Sequence, residues 1–127
     1  MVDNGVELEH AYEMLANMHK RHGSHHNPIT WGGGDTVELK EQLNSNHAWC
    51  FGRRWTDVKT IYITMSIANG GKVQGGLART MTKFGLNFKG RKHNALDDSI
   101  NTFRLYKKFL DIMPRKELWV SNEKENV

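Results

Sequence analysis

The chain has 127 residues, with 18 Lys and Arg, 14 Asp and Glu, seven His, one Cys and two Pro, for a net charge of +4. Its length suits one domain, and four Trp, five Phe, three Tyr and six Met supply core enough to exclude global disorder. No apolar run reaches the roughly 18 residues that span a bilayer, the residues after Met1 are not those of a secretory leader, and a lone Cys50 excludes a disulfide framework or a multi-Cys zinc site. The expected setting is therefore cytoplasmic, with no membrane partner.

Residues 6–21 predict an amphipathic helix, because Leu8, Ala11, Tyr12, Leu15 and Met18 recur on one face. Gly23 ends it, and Ser24-His25-His26-Asn27-Pro28 reads as a polar loop. Ile29-Thr30-Trp31 is a short β-prone run that meets three glycines, Gly32 to Gly34. A helix over residues 35–43 follows, where Asp35 and Glu38 have the spacing of a capping box. After a turn at residues 44–46, residues 47–51 suggest another short strand. Residues 60–68 are rich in β-branched side chains and fit strand or helix equally. Asn69-Gly70-Gly71 breaks the chain, and Leu77, Met81 and Phe84 mark a short helix. A loop over residues 85–90 leads to a long helix over residues 95–111, stopped by Pro114.

That last helix is the most informative element. Asn94 is a favourable N-cap, and Asp97 stands three residues on as its reciprocal partner. On a helical wheel, Asp97, Asn101, Arg104, Lys108 and Asp111 gather within about 80° as a charged, solvent-facing side. Ile100, Phe103, Tyr106 and Leu110 cluster near Leu96. Asp98 falls beside Thr102, Leu105 and Phe109, in the apolar arc, so it is expected to face inward. An inward carboxylate is costly unless it is paired or bound to a metal, and both readings stand for Asp98. His93 precedes the helix by two residues, where a histidine beside a metal-binding aspartate suits a general base that deprotonates water. The surroundings are basic. Arg79, Lys83, Lys89, Arg91, Lys92, Arg104, Lys107 and Lys108 stand against Asp97 and Asp98, a local net charge of +6 that exceeds that of the whole chain. Such a patch fits a polyanionic partner or an ordinary solvated face.

Other motifs carry less. His19, His22, His25 and His26 lack Cys or carboxylate companions and read as a histidine-rich loop before they read as a metal site. Gly70-Gly71-Lys72 is followed by Val73, so it is no P-loop, and Gly32 to Gly34 lack the spacing of a dinucleotide fingerprint. Cys50 reads as a structural thiol.

Gly90-Arg91-Lys92-His93-Asn94-Ala95-Leu96-Asp97-Asp98 resembles the third motif, His-x-Ala-x-x-Asp, of the DEDDh (DnaQ-like) 3′–5′ exonucleases. Residues 77–90 are similar to that family's short helix and Gly-Leu-x-Phe-x-Gly-Arg approach. Trp31-Gly32-Gly33-Gly34-Asp35 looks like the second motif, Trp-Gly-x-x-Asp, of relatives that trim RNA 3′ ends. The resemblance spans residues 29–110 and is weakest over residues 44–75.

It implies an α/β domain of the ribonuclease H-like class, a mixed sheet flanked by helices, that lacks its N-terminal strands. Residues 1–113 would be a partial exonuclease domain and residues 114–127 a charged tail. It further implies two-metal hydrolysis of phosphodiester bonds at single-stranded DNA or RNA 3′ ends, with two Mg²⁺ or Mn²⁺ ions. Asp35 and Asp98 would be metal ligands, His93 the general base, and Lys89, Arg91 and Lys92 the holders of backbone phosphates. The family's first motif, Asp-x-Glu on an apolar strand, is not found before Asp35. A further N-terminal segment or a second chain is therefore expected to supply it, and the 127 residues alone are expected to show little or no nuclease activity. The alternative is a catalytically inactive module that binds nucleic acid or protein through the same fold.

Overall fold

The computed structural model describes residues 6–25, 27–43, 51–73 and 75–113. It is mixed α/β, mostly helical, with a two-stranded parallel sheet among the described residues. The chain divides into two compact units, residues 1–74 and 75–127. No helix among the described residues is long and apolar enough to cross a membrane. The expected tail over residues 114–127 lies outside the described residues.

The first unit opens with α1 (Leu8–His22), whose end is set by Gly23 in the left-handed region, as the sequence predicts. β1 (Ile29–Thr30) follows, then α2 (Asp35–Gln42), β2 (Thr56–Asp57) and α3 (Val58–Ala68). The strands pair in parallel, Ile29 beside Thr56 and Thr30 beside Asp57, and the Thr56 N–H donates to the Pro28 carbonyl at 2.9 Å. Tyr12, Val58 and Tyr62 are buried. Phe51 links the ring of Tyr12 to that of Trp55 through edge-on contacts, with centroids 6.0 and 5.5 Å apart.

The ambiguous segment over residues 60–68 is helical. Asp57 decides this, because its carboxylate caps the backbone N–H groups of Lys59 and Thr60 and so nucleates the first turn. Val58, Ile61, Tyr62 and Met65 then fall on one buried or half-buried side. The strand expected over residues 47–51 lies outside the described residues except for Phe51, which is not in a strand.

The second unit contains α4 (Leu77–Lys83) and α5 (Ala95–Ile112). Leu77, Met81, Leu105 and Phe109 form its apolar core, and the Phe84 ring meets Phe109 edge-on with centroids 4.9 Å apart. Buried hydroxyls are satisfied within their own helices: Thr80 donates to the Gly76 carbonyl at 2.9 Å and Thr102 to that of Asp98 at 2.7 Å.

One expectation for α5 is corrected. Asn101, assigned to the solvent-facing side, is fully buried, whereas Leu96, Ile100, Phe103 and Leu110 are exposed. The cause is the loop after α4, which hydrogen-bonds along the edge formed by Asp97, Asn101 and Arg104 and shields it from water. Polarity on a helix wheel marks the edge that the loop covers. The inward arc of Thr102, Leu105 and Phe109 is buried as expected.

Candidate functional site

The start of α5 is built by a dense set of side-chain bonds to backbone. Asn94 accepts from the Asp97 N–H at 3.1 Å, the cap its position predicts. The reciprocal half of the box is different from the expected one. The Asp97 carboxylate accepts from the Arg91 N–H at 2.9 Å, and the Asn94 N–H instead donates to the Arg91 carbonyl at 3.3 Å. His93, with a φ of +67°, turns the chain between Arg91 and Asn94 and so takes the Asn94 N–H away from Asp97. A left-handed histidine is uncommon and carries backbone strain, which the surrounding bonds hold in place. Gly90 is also left-handed, and a Cβ there would strike the Asp97 carboxyl group, so the close approach of loop and helix depends on glycine.

Asn101 ties the middle of the loop. Its Oδ1 accepts from the Lys89 N–H at 3.1 Å, while its Nδ2 donates to the Lys89 and Asp97 carbonyls, each at 2.7 Å. Arg104 Nη1 donates to Asn101 Oδ1 at 2.7 Å and to the Asn87 carbonyl at 2.8 Å. A fully buried amide left without these partners would cost about 1–3 kcal/mol per group, so the network specifies the loop. Sequence reasoning missed Asn101 and Arg104 as organisers. Their spacing of three on one helix edge was the available signal, but they were read as surface.

The second-unit candidates therefore occupy one continuous segment. Lys89, Arg91, Lys92 and His93 are exposed, and Asp97 and Asp98 are both half-buried. The expected contrast between a solvent-facing Asp97 and an inward Asp98 does not hold, because the loop covers Asp97 while Asp98 stays partly open.

Asp35 belongs to the first unit. It is exposed, as the first residue of α2, and the expected capping box is absent: the N-cap is Gly34, with a φ of +99°, and makes no side-chain cap bond. A left-handed glycine at that position moves Asp35 one step into the helix, where its side chain is no longer the cap. The Trp31-to-Asp35 loop is held instead by Asp57. Its Oδ1 accepts from the Gly32 N–H at 2.8 Å and the Lys59 N–H at 2.9 Å, and its Oδ2 from the Thr60 hydroxyl at 3.0 Å. Asp57 was also missed, although an aspartate just before an apolar run is an N-cap signal. So many donors make it a structural carboxylate.

The carboxylates of Asp35 and Asp98 have the oxygen chemistry that Mg²⁺ or Mn²⁺ prefers. They belong to different units, and no group of three or more His, Cys, Asp or Glu positioned to hold a metal occurs among the described residues. The expected histidine-rich loop is corrected in part: His19 and His22 lie in the last turn of α1, His19 Nδ1 bonds Ser24 Oγ at 2.8 Å, and His25 Nδ1 accepts from the Asn27 N–H at 3.3 Å, which are local contacts. His26 and Cys50 lie outside the described residues.

Compared with protein-family profiles, with curated proteins and with solved structures, the chain has no match.

Proposed function

We propose that this chain carries the second and third motifs of a DEDDh-type 3′–5′ exonuclease of ribonuclease H-like fold, acting on single-stranded DNA or RNA 3′ ends. The observation that carries this reading is the start of α5. There, a left-handed, exposed His93 sits just before a capped helix whose first turn holds the half-open carboxylate of Asp98, with basic side chains on the loop before it. In this reading Asp35 and Asp98 would each offer carboxylate oxygens to divalent ions, and His93 would accept the proton of the attacking water. Bound Mg²⁺ or Mn²⁺ would contribute charge stabilisation at the phosphate. His93 is exposed and so open to water. Lys89, Arg91 and Lys92 hold the backbone phosphates. The Asp-x-Glu that the described ligands need as a complement comes from a further segment or a second chain, in a reducing, cytoplasmic setting consistent with the single cysteine.

A second reading rests on the basic loop alone, whose exposed Lys89, Arg91 and Lys92 can meet a polyanion without a metal. In that reading the 127 residues are a catalytically inactive module that binds nucleic acid or protein. The test is a trimming assay on 5′-labelled single-stranded DNA and RNA in Mn²⁺, with the chain alone and co-expressed with a strand segment bearing Asp-x-Glu. The exonuclease reading expects negligible trimming alone, stepwise 3′ shortening when complemented, and loss of that shortening in Asp98→Ala. Complemented chain that binds the oligonucleotide without shortening it supports the inactive module.

A further inference from the structure

Three features of α5 and its loop belong together. The loop over residues 87–91 is bonded to one edge of α5 at three levels: Arg91 to Asp97, Lys89 to Asn101, and Asn87 to Arg104. From Asp97 to Arg104 is seven residues of helix, or about 10 Å of axis. The loop is thus laid lengthwise along the helix, and its order depends on two side chains that do not themselves face a ligand, the buried Asn101 and the partly buried Arg104. The cations Lys89 and Arg91 are exposed on this fixed segment, Lys92 is exposed directly after it, and Lys108 continues the same edge one turn beyond Arg104. Nearby carboxylates reduce the positive charge without cancelling it: Asp97 and Asp98 stand against Lys89, Arg91, Lys92, Arg104 and Lys108, and Asp111 lies at the far end of the helix.

We infer that Asn101 and Arg104 are positioning residues that hold Lys89, Arg91 and Lys92 in a preset row, a track for the phosphates of a single-stranded nucleic acid. This rests on the nucleic-acid reading above and deepens it, because it assigns the binding strength to neutral, internal bonds as well as to surface charge. A loop free to move would have to be ordered on binding, and the clamp removes that cost beforehand. Binding through the row needs no metal.

The experiment is fluorescence anisotropy with the full chain in EDTA, using a labelled oligothymidylate of about 15 nucleotides at salt concentrations from about 50 to about 200 mM. Unlabelled duplex and polyglutamate serve as competitors. Each phosphate neutralised on a single strand contributes about 0.7 to the slope of log affinity against log salt, so Lys89→Ala, Arg91→Ala and Lys92→Ala combined should flatten the slope by about 2. Asn101→Ala and Arg104→Lys leave the formal charge unchanged, and each should weaken binding about fivefold through loss of loop order. Circular dichroism checks folding. Where Asn101→Ala unfolds, Arg104→Lys decides, since it keeps the cation and loses only the guanidinium reach to Asn87 and Asn101.

Absence of salt-dependent binding by the unaltered chain would overturn both the track and the nucleic-acid reading. Binding whose slope ignores the triple substitution overturns the track alone. Arg104→Lys that binds like the unaltered chain removes the positioning role. Polyglutamate that competes as well as the oligonucleotide replaces the nucleic acid with an acidic polypeptide.

Discussion

The loops that lead into α2 and α5 solve the same problem by different means. Each brings a glycine-bearing segment into a helix whose first turn carries an aspartate, Asp35 in one and Asp98 in the other. Before α5, the loop is fastened by Asp97, Asn101 and Arg104, and the helix is capped by Asn94. Before α2, glycine geometry does the turning, no side chain caps the helix, and one remote carboxylate, Asp57, holds the loop through Gly32. The first design fixes the backbone at Lys89 and Arg91, just before His93. The second presents Asp35 openly, with little to restrain it. The difference teaches where local order is stored: at α5 it is in the helix that follows the loop, and at α2 it is in Asp57, the last residue of β2 and the cap of α3, more than 20 residues later in the chain.

The contrast can be broken by substitution, and the largest effect is expected at Asn101. Asn101→Ala removes four hydrogen bonds and strands the Lys89 backbone, so the second unit should lose about 3 kcal/mol in denaturant unfolding. A loss below about 0.5 kcal/mol, the range of ordinary surface changes, would show that the loop is not held by this amide.

Asp57→Ala comes next. Losing a cap costs about 1–2 kcal/mol, and the Gly32 N–H loses its partner as well. Hydrogen exchange should therefore accelerate at both Gly32 and the first turn of α3, two places far apart in sequence. Acceleration at α3 alone would mean that the Gly32 bond contributes nothing.

Asp35→Ala should change stability least, by about 0.5 kcal/mol, because an exposed first-turn carboxylate contributes only its interaction with the helix dipole. A loss above about 1.5 kcal/mol would reveal a capping role that the geometry does not contain.

Much of this organisation was legible in the residues, and the failures have physical causes. Asn94 as a cap, Gly23 as a stop and the inward Thr102, Leu105 and Phe109 arc follow from local chemistry, which a wheel or a spacing rule captures. Asn101 was misplaced because a wheel reports polarity but not what covers a face. Here, a loop supplied the polar partners that make a buried amide tolerable. Asp35 looked like a cap because Asp-x-x-Glu is blind to whether the preceding residue is left-handed; Gly34 is, and takes the cap position itself. In residues 60–68, β-branched content and helical spacing were balanced, and Asp57 outside the segment tipped it. The functional reading behaves alike. The residues that resemble the third motif, 90–98, lie in a segment tied by several side-chain bonds, whereas those that resemble the second, 31–35, rest on glycines and an exposed aspartate that many loops share.

The proposal that Asp98 and Asp35 each offer carboxylate oxygens to divalent ions is tested most directly by paramagnetic broadening. Sub-stoichiometric Mn²⁺ added to isotope-labelled chain should selectively broaden the amide resonances of residues 33–37 and 93–99, and Asp98→Ala should remove the broadening at residues 93–99. Broadening that spares both segments, or that persists around residue 98 in Asp98→Ala, would contradict the account.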